Sequence, residues 1–226
     1  KVKYLIASNK NWHKELSKSL QIKTAYQFDI INDETELTLE RLESISPQII
    51  FFTHWSNTIP KEIFTKYECI IFHMTDLPFG RGGSPLQNLI IRGHKDTKLS
   101  ALKCSEEYDA GPIYLKEKLS LAGTAEEILF RASKLMESMI IKILLEKPHP
   151  IMQKGEPTIF KRLTHKEGNL LQSKSLDEVF DRIRMLDADN YPPAFIDIEG
   201  IKLEFSKASY KNNSIIAEVN ISKFEE

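Results

Sequence analysis

The sequence predicts an α/β fold: a mostly parallel sheet with helices on both faces, followed by a small C-terminal region of α+β or barrel-like character. Three observations carry this. Short β-rich runs alternate with helical patterns through the first half of the chain, as in βαβ units. Two of those runs, Ile49–Phe52 and Cys69–His73, are almost continuously apolar, which suits strands covered on both faces. After Lys147–Pro157, with three prolines and one glycine, the pattern changes to one helix and several short strands.

In chain order, Lys3–Ser8 reads as a strand, Trp12–Leu20 as a helix, Tyr26–Ile31 as a strand and Glu36–Ser44 as a helix. The buried strands Ile49–Phe52 and Cys69–His73 follow. Ser84–Arg92 is a short helix with Pro85 at its first position, where the missing N–H costs nothing. Lys98–Lys103 and Pro112–Leu115 are further strands. The clearest helix is Ala125–Glu146: Thr124 and Glu127 have capping-box spacing, Ile128, Leu135, Met139 and Leu144 fall near one face, and Pro148 follows its end. That stripe reads as core packing. Beyond the linker come a helix at Leu176–Leu186 and strands near Ala194–Ile198, Ile201–Ser206 and Ser214–Val219. The expected division is an N-terminal catalytic domain over 1–147 and a small C-terminal domain over 148–226.

Composition narrows the classes. The chain has 226 residues, 41% of them hydrophobic and 28% charged, as in a soluble globular protein of one domain or one with an appendage. Its apolar runs are far shorter than the ~20 residues that span a bilayer. Lys1–Ser8 carries no signal-peptide cleavage pattern, so the cytoplasm is the default. Cys69 and Cys104 have no metal-type spacing and cannot build a disulfide framework, and no metal is expected. Residues 1–150 carry 20 basic and 19 acidic side chains, and residues 151–226 carry 11 and 13. A nucleic acid gripped through its phosphates calls for a basic excess, so that class of partner is disfavoured, as is a membrane.

The chemistry-bearing residues gather where strands end, the place where ligands bind in open α/β sheets. His73 ends a strand and precedes a Gly-rich loop carrying Arg81, whose fork can take an anion. A strand-end His is by itself more often structural than catalytic. Asp109, in Tyr108-Asp109-Ala110-Gly111-Pro112, can orient an imidazole or simply form the turn before Gly111. Lys10, Asn11 and Trp12 follow the first strand, where a substrate would also sit, although the same stretch reads as a loop and helix start. Trp55 can stack on a ring or cover a strand end. His13, His94, His149 and His165 read as solvated.

His73, Leu77, Pro78, Arg81, Gly82 and Pro85, taken with Asp109–Ile113, resemble the 10-formyltetrahydrofolate-dependent formyltransferases, which include methionyl-tRNA, glycinamide ribonucleotide and sugar N-formyltransferases. The likeness extends through Phe51–Pro60, the family's folate-lining segment, and through Phe160–Arg162, Ile183–Asp187 and Pro192–Phe195 of its smaller C-terminal region. It implies a Rossmann-like formyltransferase fold and an N-formyltransferase using 10-formyltetrahydrofolate as cosubstrate. His73 would handle protons as an amine attacks the formyl carbon, with Asp109 supporting it. Asn57, Thr58 and Ile59 would read the pterin through backbone groups, beside Trp55, Tyr108 and Asp109.

One position departs from the pattern. Where the family has an Asn two residues before the His, this chain has Ile71. Losing one oxyanion donor costs ~10²–10³ in rate. Asn57, His54, Thr75 or Asn88 would replace it, the His73 imidazolium would suffice, or the protein would be a non-catalytic folate- or nucleotide-binding module. The expectation is a replacement donor, with Asn57 in that role.

For the amine, the neutral charge and the short stretch before His73 argue against tRNA. The loop Ser8–Trp12 lacks the glycines of a phosphate loop. The expected substrate is therefore a nucleotide-linked amino sugar, such as a 4-amino-4,6-dideoxy hexose of the nonulosonic acid type, with Arg81, Lys10 and Trp12 binding it. A methionyl-tRNA formyltransferase-like enzyme is the alternative. The C-terminal region would complete the substrate site, pair two subunits as a homodimer, or cover apolar surface.

Overall fold

The computed structural model describes residues 2–10, 14–189 and 191–223. By internal contacts the chain divides into two units. The first comprises Lys1–Arg81, Lys98–Leu119 and Phe130–Ile159; the second comprises Gly82–Thr97, Ser120–Leu129 and Phe160–Glu226. The region 1–147 thus supplies segments to both.

A six-stranded sheet organises the first unit, in the order β2-β1-β3-β4-β6-β7. Its strands are β1 (Lys3–Ala7), β2 (Gln27–Ile31), β3 (Ile49–Phe52), β4 (Glu68–His73), β6 (Asp96–Lys103) and β7 (Ile113–Ser120); the two-residue strands β5 (Arg81–Gly82) and β8 (Ile159–Phe160) form a separate pair. β1 pairs in parallel with β2 and β3, β3 pairs in parallel with β4, and β6 runs antiparallel to β4. The expected mostly parallel sheet is therefore mixed at one side. Because the chain leaves β1 first for β2 and then for β3, the strand order switches direction between β1 and β3, which opens a crevice at their carboxyl ends.

Period-two alternation divides the apolar residues between the two faces. Leu5, Ala7, Ile50, Phe52 and Cys69 meet Leu42 and Ile45 of α2 (Leu39–Ile45) and Ile63 of α3 (Lys61–Lys66) on one face. Tyr4, Phe28, Phe51 and Phe72 form a run of ring contacts on the other. The tips of helices move by a few residues from where the sequence placed them. α1 runs Lys14–Thr24, past Leu20, and ends where Ala25 turns left-handed. α2 starts at Leu39 rather than Glu36, because Thr38 Oγ1 caps it by accepting from Arg41 N at 3.2 Å. β7 continues to Ser120: the alternating charges Lys116-Glu117-Lys118, which resemble a strand end in sequence, suit a sheet edge facing water.

α1 meets α5 (Ala125–Glu146) through Glu137, whose side chain is only 8% exposed and accepts from Ser19 Oγ at 3.0 Å and from Lys23 Nζ. Burial would raise the Glu137 carboxyl, but Lys23 and Ser19 outweigh it and hold the group below the ordinary range. A carboxyl lowered in the folded state stabilises fully above its unfolded value, near 4.3, and loses that contribution as pH falls through the folded value. Since Lys23 is half-exposed, screening reduces the gain. Glu137→Gln should therefore lower the unfolding free energy by about 1 kcal/mol at pH 7 in urea titrations. The gap should close toward pH 3, and a gap of the same size at both values would contradict this account.

The second unit contains α4 (Pro85–Ile91) and α6 (Leu176–Met185), and an antiparallel sheet of β9 (Ala194–Ile198), β10 (Ile201–Lys211) and β11 (Ser214–Lys223). Leu170, Ile183 and Ala194 centre its core. Arg184 on α6 donates Nη1 to the carbonyls of Leu121 and Gly123, at 2.6 and 3.0 Å, and Nε to Asp181 at 2.7 Å. Both hairpins turn on two left-handed residues, Glu199-Gly200 and Asn212-Asn213, whose twist matches that of the strands. The expected capping box at the start of α5 is present, with Glu127 N donating to Thr124 Oγ1 and Thr124 N to Glu127 Oε2.

Candidate active site

His73 is the last residue of β4 and is almost fully buried. Its Nε2 lies 2.7 Å from the carbonyl oxygen of Gly80. A carbonyl can only accept, so Nε2 carries the hydrogen and donates it. In the neutral ring the lone pair is then on Nδ1. Nδ1 faces Asp109 Oδ1 at 3.6 Å, and the Asp109 side chain is 15% exposed. The tautomer thus makes Nδ1 the proton-accepting atom and places a carboxylate beside the charge that a proton would create there.

The loop carrying Asp109 follows β6. In the β4–β6 register Ile70 pairs with Lys103, and Cys104 N donates to the Cys69 carbonyl at 2.8 Å. From there the segment returns to the level of His73, along the face that bears Cys69, Ile71 and His73. Ile71 packs against the apolar cluster of that face. Burial, and then the Asp109 carboxylate, push the Cys104 thiol up to about 11. Asp109 itself is left-handed, at φ 53.

The loop after β3 adjoins the same segment. Thr58 Oγ1 and Tyr108 OH are 2.8 Å apart, and Lys61 Nζ donates to Glu106 at 2.9 Å. Across the crevice from β1, Asn9 Oδ1 accepts from Ser56 N at 2.9 Å and Ser56 Oγ at 3.2 Å. These contacts bring three of the sequence-predicted stretches together: the end of β1 with Lys10, the loop of Trp55, Asn57 and Thr58, and Tyr108-Asp109. Trp12 lies outside the described residues. Phe51 and Phe52 are fully buried and Ile59 nearly so, so within Phe51–Pro60 only the loop from Thr53 onward has groups to offer a ligand. Trp55 is packed edge-on against Phe52, with ring centroids 5.6 Å apart, instead of standing open for stacking.

Of the expected replacement donors, Thr75 Oγ1 donates to the Gly80 carbonyl at 3.2 Å. The Asn88 amide nitrogen bonds the carbonyls of Gly83, Ser84 and Lys161 within the second unit. Arg81, expected to bind a substrate anion, has its fork turned inward. Nε and Nη2 donate to Gln153 Oε1 at 3.1 and 2.9 Å, and Nη1 to Glu107 at 3.1 Å. Sequence reasoning missed Gln153 and Glu107, since a lone Gln inside a Pro-containing linker carries no local signal. Beside these groups, Lys116 and Lys98 hold the Asp76 carboxyl below its ordinary range against the effect of burial. Among the described residues no group of His, Cys, Asp and Glu is placed to hold a metal, and no helix is long and apolar enough to cross a membrane.

The solved structure titled methionyl-tRNA formyltransferase from Clostridium thermocellum superposes on this chain with a TM-score of 0.95, at 46% identity, covering 99% of this chain and 100% of that one. The chain belongs to the formyltransferase family. A profile for the methionyl-tRNA formyltransferase C-terminal domain matches residues 165–222 of this chain. The curated methionyl-tRNA formyltransferase of Ehrlichia ruminantium (strain Gardel) is 26% identical over 189 residues, 81% of this chain and 61% of that protein. The chain spans about three-fifths of the length of the first such relatives. A sugar N-formyltransferase from a Shewanella species shares the fold, with a TM-score of 0.72 at 16% identity, covering 93% of this chain and 99% of that one.

Proposed function

We propose that this chain transfers a formyl group from 10-formyltetrahydrofolate to an amine, with methionyl-tRNA as the amine carrier. The observation that carries the transfer is the His73 geometry. Nε2 is tied to Gly80, which leaves Nδ1 to take the amine proton as the new C–N bond forms and to return it to the nitrogen that leaves the formyl carbon. Asp109 at 3.6 Å stabilises the imidazolium in between. Folate is assigned to the loop after β3. Thr53 Oγ1 and Trp55 Nε1 are buried there without hydrogen-bond partners among the described residues, and an edge rich in donors and acceptors, as a pterin has, would satisfy such groups. Asn57 on that loop is our oxyanion donor. Asn57→Ala should lower kcat by about 10²-fold, and a kcat within twofold of the parent would remove it from the role.

Identity of 46% to a structure titled methionyl-tRNA formyltransferase supports methionyl-tRNA. A second reading, a nucleotide-linked amino sugar, is favoured by the net charge of −1, which lacks the basic excess that phosphate contacts call for. Incubation with 10-formyltetrahydrofolate and either methionyl-tRNA or a panel of UDP- and dTDP-linked 4-amino sugars, read by the mass gain of one formyl group, separates the two. Formylation of the sugars alone overturns the tRNA reading, and formylation of neither overturns the enzyme.

A further inference from the structure

We infer that Gln153 is a positioning residue for formyl transfer, locking both polar partners of the His73 imidazole; the inference rests on the function proposed above. Its side-chain amide is used on both sides. Nε2 donates to the carbonyls of Asp109 and Gly111, at 2.7 and 2.9 Å. Oε1 accepts from Arg81 Nε and Nη2. The orientation is fixed by the partners, because carbonyls cannot donate and a guanidinium cannot accept. One contact set holds the loop whose Asp109 faces His73 Nδ1. The other holds Arg81, the neighbour of Gly80, whose carbonyl takes His73 Nε2.

Gln153 is itself placed by backbone. Ile113 N donates to Ile151 O at 2.8 Å and Ile151 N to Ile113 O at 2.9 Å, which ties the linker to the start of β7. Arg81 N donates to Thr158 O at 2.9 Å, one residue past the same linker. The loop needs such a brace: Asp109 is a non-glycine residue at φ 53, a conformation that persists only where surroundings hold it. Relaxation of that loop moves the carboxylate away from Nδ1, and misplacement of a reacting group by an ångström costs about 10²-fold in rate.

Two substitutions separate the two sides of the amide. Gln153→Glu keeps an oxygen for Arg81 but sets a carboxylate oxygen against the two carbonyls; Gln153→Met removes both contact sets at similar volume. Both should lower kcat by about tenfold or more, with KM for 10-formyltetrahydrofolate within threefold and a cooperative melt that is lowered but stays above the assay temperature. In both, the His73 ring-nitrogen chemical shifts should move toward those of Asp109→Asn, a change that a purely structural brace elsewhere would not produce. Parent-like kcat in either variant, or unmoved His73 shifts while Asp109→Asn moves them, overturns the proposal. The NMR arm needs no amine substrate, so a parent protein that formylates nothing would refute the function while leaving the placement of Asp109 by Gln153 still decided by the spectra.

Discussion

His73→Gln should lower kcat by about 10²–10⁴-fold, the range that a positioned general acid–base supplies, while 10-formyltetrahydrofolate still binds. Gln is chosen because its terminal amide nitrogen can replace Nε2 in donating to the Gly80 carbonyl, which preserves the buried contact now made at 2.7 Å. What it lacks is a titratable atom facing Asp109. The variant should therefore melt near the parent while its turnover falls. Single-turnover transfer to methionyl-tRNA with calorimetric folate binding is the measurement. Turnover within threefold of the parent would remove Nδ1 from the mechanism. Turnover and folate binding lost together would mean that His73 supports the folate loop instead of handling protons. Asp109→Asn is the companion variant: it keeps the loop's size and removes only the charge beside Nδ1, so its kcat loss should be smaller than that of His73→Gln.

Gly111→Ala should be among the most destabilising single changes available. A Cβ at Gly111 would stand 1.8 Å from the Lys103 carbonyl oxygen and 2.9 Å from its carbon. These are backbone atoms of β6, whose Lys103 N accepts no freedom either, since it donates to Pro112 O at 2.9 Å. No side-chain rotation relieves such a contact, so the loop must move and take Asp109 with it. A loss of about 3 kcal/mol or more is expected, which for a chain of this size lowers the melting temperature by roughly 6–12 °C. Gly200→Ala is the control. Gly200 is left-handed at φ 83 but has nothing within 4 Å, so only the conformational cost of about 1–2 kcal/mol applies. Equal melting of the two variants would show that close approach at Gly111 is not what restricts the position. The Gly111 variant should also lose activity beyond its loss of stability, because Gln153 Nε2 holds this loop at both Asp109 O and Gly111 O.

The parts of this protein legible in the sequence are those set by neighbours a few residues apart. The capping box of Thr124 and Glu127, the paired apolar runs of β3 and β4, and the order of strands and helices all follow from spacing of two to four residues. The hairpin turn at Asn212-Asn213 uses residue types that favour left-handed backbone, but the sequence pattern ends the strand before it at Ser206 and the structure carries it to Lys211. The motif names His73 and Asp109 as candidates, and the structure sets them 3.6 Å apart, but the motif cannot say which ring nitrogen faces the carboxylate. That depends on the Gly80 carbonyl, an acceptor with no sequence signature.

Only the tertiary structure decided the rest. Arg81 reads in sequence as an anion site, yet its fork meets an oxygen 72 residues away, and the same Gln153 reaches back 44 residues to Asp109. The linker around Gln153 reads as punctuation and proves to brace the loops beside His73. Residues 82–97 and 120–129, continuous with the sheet in sequence, belong by their contacts to the second unit. Contacts across such separations leave no periodicity in the chain, because their geometry is fixed by how the sheet and its loops pack and not by the local preferences of the residues that make them.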